Sequence, residues 1–145
     1  MITYHTEGVD MPHINTVLIP QWIEQVAAKY NRKAGDLAYI FCSDEYILDV
    51  NRTYLKHDYF TDIITFDYCK GNLISGDLFI SLDTVKSNSE QFHTPYKEEL
   101  HRTIIHGILH LCGINDKGPG EREIMEQAEN EALVLYQAIA KIDQF

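Results

Sequence analysis

The sequence predicts an α/β (α+β) fold: a small mixed sheet of about four strands with helices packed around it. Three observations carry this expectation. Short apolar or alternating runs at 2–6, 37–42, 63–68 and 78–80 have the character of strands. The segments between them repeat apolar residues at helical spacing and are bounded by capping and breaking residues. The 145 residues are 45% hydrophobic and 23% charged, with no repeat, low-complexity run or Pro/Gly/Ser linker, so one domain spanning 1–145 is expected. A chain of this size can bury roughly 68% of its unfolded surface and needs no staples.

Ile2–Thr6 alternates weakly and reads as an opening strand. Pro20 suits the first turn of a helix carrying Trp22, Ile23, Val26, Ala27 and Tyr30, with Gly35 ending the pattern. Leu37–Cys42 reads as a buried strand. Ser43 or Asp44 can cap a helix running to about Leu55. Ile63–Tyr68 and Leu78–Ile80 read as a strand pair joined through a turn at Lys70-Gly71-Asn72. Ser81 can cap a helix from Leu82 to about Phe92. Thr94-Pro95 reads as an N-cap with proline at the first helical position, opening a central helix from about Pro95 to Cys112 that Gly113 stops. After Gly118-Pro119 a last helix reaches about Lys141. It sets Ile124, Ala128, Leu135 and Ile139 on one face, and Glu121, Glu123, Glu126, Glu129 and Glu131 on a solvated one.

The net charge is −10, which by itself argues against a polyanionic partner. No stretch approaches the roughly 20 apolar residues that span a bilayer, and the first residues have no basic and apolar leader pattern. Cys42, Cys69 and Cys112 form no CxxC pair and read as free thiols in a reducing compartment, so a cytoplasmic protein is expected.

One segment carries chemistry: His106-Gly107-Ile108-Leu109-His110-Leu111-Cys112-Gly113-Ile114-Asn115-Asp116. Side chains four residues apart on a helix lie one above the other, so His106 and His110 share a face. Leu100, Ile104, Ile105, Ile108, Leu109, Leu111 and Cys112 fill the opposite arc, and His101 falls on that apolar side as a packed residue rather than a ligand. Gly113 turns the chain so that Asp116 can fold back over the histidines. Two imidazoles and one carboxylate leave a position open for water, which is the catalytic type of zinc site. Arg102 and Thr103 are candidates to orient an imidazole from behind. The spacing is also that of zinc peptidases, but the position of their general-base glutamate holds Gly107, which instead permits a close approach.

This segment resembles the signature of the YbeY family of metal-dependent endoribonucleases, His-Gly-x-Leu-His-Leu-x-Gly-x-Asp-His. Asn51-Arg52-Thr53-Tyr54 with Asp58-Tyr59-Phe60-Thr61-Asp62-Ile63-Ile64-Thr65-Phe66, and Gly76-Asp77-Leu78-Phe79-Ile80-Ser81, are similar to two further family blocks. Order and spacing match over about residues 37–136. Three departures from the pattern bear on the chemistry. Asp116 stands where the family has its third histidine ligand, Leu55 where it has an arginine, and Phe60 where it has a proline. A carboxylate still binds zinc but lowers the charge at the metal and raises the pKa of bound water. Lys56 follows Leu55 and could replace the arginine as a point charge.

The resemblance implies a zinc-dependent endoribonuclease acting on single strands in ribosomal RNA processing, with ribosomal RNA and the small ribosomal subunit as partners and neither DNA nor membrane. His106, His110 and Asp116 would hold one Zn2+. Arg52, Lys56 and Arg102, with Lys70, would offset the acidic total locally, and Asp62 and Asp77 are acid–base candidates by resemblance alone. Attack by metal-activated water or by the RNA 2′-OH are both open. The rivals are a ribosome assembly factor with a structural metal and a metallopeptidase-like hydrolase.

Overall fold

The computed structural model describes residues 1–57 and 61–143; Asp58, Tyr59 and Phe60 of the second sequence block lie outside the described residues. In chain order the elements are β1 (Ile2–Glu7), α1 (Leu18–Lys29), β2 (Lys33–Cys42), α2 (Asp44–Val50), a π-helical turn (Asn51–Leu55), β3 (Ile63–Asp67), β4 (Leu73–Ser81), α3 (Leu82–Gln91), α4 (Tyr96–Leu111) and α5 (Glu121–Asp143). The strands form one sheet in the order β1-β2-β4-β3. β1 and β4 both run parallel to β2, and β3 runs antiparallel to β4. This is the mixed four-stranded α+β architecture that the sequence predicts.

Strand alternation divides the core between two faces. Leu37, Tyr39 and Phe41 of β2 and Ile74, Leu78 and Ile80 of β4 pack into the main core with α1, α4 and α5. Cys42 and Ile64, with the half-buried Phe66 and Phe79, meet Ile47 and Val50 of α2 in a smaller cluster. Buried polar groups find partners across the layers, as burial requires. Tyr39 Oη donates to the Ile104 carbonyl at 3.0 Å, and Trp22 Nε1 donates to the Ala132 carbonyl at 2.7 Å. These two bonds tie α4 to β2 and α5 to α1. Gly107 shows how closely α4 lies on the sheet: a Cβ there would overlap Leu78 Cδ2 and stand 2.9 Å from Ile63 Cδ1. The glycine therefore serves helix–sheet contact rather than the floor of a cleft.

Caps and ends refine the boundaries. Ser43 and Ser81 accept from the Tyr46 and Thr84 backbone N–H groups, each at 3.2 Å, as N-caps do. The first helix ends at Lys29, because Asn31 takes a left-handed φ of 60°, and Gly35 lies inside β2. Pro95 is itself the cap of α4, with an extended ψ of 140°, and Thr94 contacts Glu99 at 3.5 Å instead of capping. The helix after Ser43 does not run unbroken to Leu55: its last five residues widen into the π-helical turn. On α5 the buried stripe is Met125, Ala128, Ala132, Leu133, Tyr136 and Ile139, whereas Ile124 is 60% exposed. All three cysteines are free, with Cys42 and Cys112 buried.

Candidate functional site

The last turns of α4 carry His106 and His110, whose rings lie nearly parallel (17°) with centroids 6.3 Å apart. The turn after Gly113, at φ 97°, brings Asp116 back so that its Oδ2 stands 3.3 Å from His106 Nε2. The other nitrogen of each ring is already engaged. His106 Nδ1 donates to Glu129 Oε2 at 2.6 Å, and His110 Nδ1 donates to the Ile114 carbonyl at 3.1 Å. Those bonds fix the tautomers and leave Nε2 of both rings as the lone-pair atom, which is how metal-binding histidines are held. In the neutral ring, His106 Nε2 and the Asp116 carboxylate are two acceptors facing each other. They need positive charge between them, as a proton or as a metal ion. Burial alone would lower the His106 pKa; the hydrogen bond to Glu129 and the charges of Glu129, Asp62 and Asp116 overcome it and raise it.

Among the described residues no three His, Cys, Asp or Glu side chains are drawn together as a ready-made metal cluster. The formed contact is the His106–Asp116 pair, with His110 one turn away on the same cleft. As a donor set, two imidazole nitrogens and one carboxylate match zinc, with room for a further ligand.

Glu129 is the residue that sequence reading missed. It belongs to a helix face expected to be solvated, yet it is 8% exposed and bridges His106 and Arg102, whose Nη1 donates to its Oε1 at 2.9 Å. The only sequence cue was position: Glu129 sits beside Ala128 and four residues before Leu133, on the face that α5 buries once docked. Arg102 therefore acts behind the histidine, through Glu129, and its Nη2 is taken by Asn130 Oδ1 at 2.7 Å. Thr103 is not a partner of the histidines. It is buried, and its hydroxyl donates to the Glu99 carbonyl one turn earlier.

The cleft has two arms that share His106 and Asp116. One, about 240 Å³, is lined by Asn51, Leu55, His57, Asp62, His110 and Lys117. The π-helical turn supplies its wall, a common position for such turns at functional sites. The other, about 550 Å³, opens between the end of α3 and α5. Asp62 belongs to the first arm; burial pushes its carboxyl up, against the pull of His106 and of the Asp62 and Ile63 backbone N–H groups. Asp77 stands apart, with Tyr68 Oη donating to its Oδ2 at 3.2 Å. Lys56 takes a left-handed φ of 56° at the end of the π-helical turn and does not line either arm, nor does Arg52. Lys70 lies in the β3–β4 connection. The expected basic cluster is thus not assembled at the cleft. Lys117 and Arg122, which line its two arms, are the cations that sequence reading did not single out.

Comparison with known proteins accords with this architecture. The family model described as "Endoribonuclease YbeY" matches residues 2–137. A Bacteroides fragilis protein named Endoribonuclease YbeY is 73% identical over 134 residues, covering 92% of this chain and 96% of its own length. Namesakes from Phocaeicola vulgatus and Porphyromonas gingivalis are 71% and 50% identical, covering 93% and 94% of this chain and 98% and 90% of their own. Among solved structures, a Thermotoga maritima protein determined in solution superposes with a TM-score of 0.65 at 24% identity, over 99% of this chain and 93% of its own; that likeness is one of fold. With the family profile matched across nearly the whole chain and relatives this similar over full length, the chain belongs to the Endoribonuclease YbeY family.

Proposed function

We propose that this chain is a metal-dependent endoribonuclease of ribosomal RNA processing, with His106, His110 and Asp116 holding one Zn2+. The observation that carries the reading is the orientation of the two imidazoles. Each gives its Nδ1–H away, to Glu129 and to the Ile114 carbonyl, and turns Nε2 toward the cleft that Asp116 closes. The names of the relatives supply the reaction class. Bound zinc would supply Lewis acidity and an activated water at neutral pH.

The chain's own residues do the rest. Glu129 holds His106 in one tautomer, and Arg102 holds Glu129. Asp62 lines the arm next to the histidines, and burial raises its pKa, which makes its ionised carboxylate a stronger base. We assign it the proton transfer: it takes a proton from the attacking oxygen, water or the 2′-OH, and returns one to the leaving oxygen. Lys117, beside Asp116 at the same arm, holds a non-bridging phosphate oxygen as a point charge. Leu55, 40% exposed, gives that wall an apolar surface where an arginine would have made a second phosphate contact. With few cations at the cleft and a net charge of −10, RNA binding should be weak and salt-sensitive, and the small ribosomal subunit is the context that would present the strand. The peptidase alternative lacks its base, because Gly107 is buried against Leu78 and Ile63.

The test is cleavage of a single-stranded RNA and of its all-DNA counterpart by chelator-stripped protein, before and after zinc is restored. Zinc-dependent cutting of RNA alone is the expected result. No cutting at any metal level, with ribosome association intact in His110→Ala, would favour the assembly-factor reading.

A further inference from the structure

Apart from His106, Asp116, Glu129 and Arg102, the residues lining the larger arm of the cleft have no part in the reaction as described. The arm holds about 550 Å³ next to His106 and Asp116, enough for a nucleoside. Phe92, immediately after α3, lines it and is 57% exposed, and the buried Met125 of α5 lies on the same lining. The polar part sets four carboxylates, Glu99, Asp116, Glu126 and Glu129, among Arg102, Arg122, His106 and Thr94. Glu129 is already engaged by Arg102 and His106, and Glu99 touches Thr94 at 3.5 Å. Glu126 is exposed and forms no hydrogen bond or ion pair among the described residues.

A phosphate deep in this arm would meet four carboxylates, with Arg102 already taken by Glu129 and Asn130. A nucleobase would not be repelled: its faces are apolar, and its edge carries N–H donors. An open aromatic ring and a free carboxylate on one lining suit that combination, since stacking takes any base and a carboxylate accepts from an exocyclic amino group. Among pyrimidines, cytosine carries such a group and uracil presents a carbonyl in its place. Arg122, on the same lining and with no ion pair among the described residues, is available to the phosphate that leads the strand out of the arm.

We propose that this arm is a base-binding subsite for the nucleotide next to the scissile phosphate, in which Phe92 stacks the base and Glu126 selects one bearing an amino group. The inference rests on the ribonuclease reading above, and its test separates the two. Fluorescein-labelled 2′-O-methyl hexamers of cytidine and of uridine, which cannot be cut through the 2′-OH and are checked for integrity after each titration, are titrated by anisotropy with the full chain and its variants. Cytidine should bind roughly tenfold tighter than uridine. Phe92→Ala should weaken both by roughly tenfold and Phe92→Trp should restore them, with KM for cleavable RNA following the same order. Glu126→Gln should remove the preference between the hexamers. Wild-type protein that cuts RNA but binds both hexamers alike, with Phe92→Ala unchanged, overturns the subsite and leaves the ribonuclease intact. Wild-type protein that neither binds hexamers nor cuts RNA overturns the ribonuclease reading and the subsite with it.

Discussion

Replacing Glu129 by glutamine is expected to weaken zinc binding by about ten- to one-hundredfold. The substitution keeps the side-chain volume and removes one charge from a group only 8% exposed. Glu129 accepts two charge-assisted bonds, from Arg102 Nη1 at 2.9 Å and from His106 Nδ1 at 2.6 Å. A glutamine amide cannot accept both. If its oxygen faces His106, its NH2 meets the guanidinium donor. If its NH2 faces His106, the imidazole must accept at Nδ1 and carry its proton on Nε2, where the lone pair is needed. Either way one such bond is lost, at about 1.5–3 kcal/mol, which is about one to two decades in a binding constant. Competition with a chromophoric chelator measures the zinc dissociation constant directly. Glu123→Gln, on the exposed side of the same helix, controls for charge removal. A Glu129→Gln affinity within a factor of about two of wild type would refute the reasoning, because the bond to His106 would then have no hold on the ligand.

Four other outcomes follow from the same geometry. His101 is buried against the Trp22 and Tyr136 rings, and burial pulls its pKa down to about 4 from 6.5, with nearby Lys97 adding to the fall. Between those values the unfolded chain binds the proton and the folded one does not. The stability this group contributes is therefore full above about pH 6.5 and falls as pH drops, by about 2 kcal/mol between pH 7 and pH 5. The raised His106 acts in the opposite direction, so the quantity to read from urea unfolding is the stability difference between wild type and His101→Leu, which should shift by that amount between the two pH values. Gly107→Val should cost about 2–3 kcal/mol in chemical denaturation, since its side chain would be driven into Leu78 and Ile63. Asp62→Asn should lower kcat for RNA cleavage by about 10²-fold or more while zinc content stays at the wild-type level; a parallel loss of zinc would show that Asp62 acts on the metal site rather than on the proton. Lys117→Ala should raise KM and flatten its dependence on salt, whereas an unchanged salt slope would remove Lys117 from the phosphate path.

Much of the fold was legible because local and tertiary signals agree. Ser43 and Ser81 cap the helices their positions suggest, and the apolar runs at 37–42 and 78–80 lie in the centre of the sheet. What failed was decided by packing at a distance. Gly35 resembles a helix terminator, but it lies within β2 at the register shift between Ala34 and Leu37, a break in the pairing with β4 that local composition does not encode. The π-helical turn at Asn51–Leu55 keeps ordinary helix formers and differs by one residue of hydrogen-bond register, so it leaves no mark in the sequence. The histidine pair and its aspartate were readable from spacing, because four residues on a helix and one glycine turn suffice to bring them to one cleft. Glu129 was not, although the stripe around it was apolar: a glutamate among other glutamates reads as surface until the helix is docked. The basic cluster failed for a similar reason. Arg102 turns out to serve an internal carboxylate, and Lys56 ends a turn away from the cleft lining.

Whether His106, His110 and Asp116 together hold a metal is decided by elemental analysis of untagged wild-type protein beside Asp116→Ala and His110→Ala. About one zinc per chain is expected in the wild type and little or none in either variant, with RNA cleavage lost in step. Wild-type protein that carries no metal, takes up none when zinc is added and still cuts RNA would contradict that expectation. Equal zinc in all three proteins would contradict the ligand set.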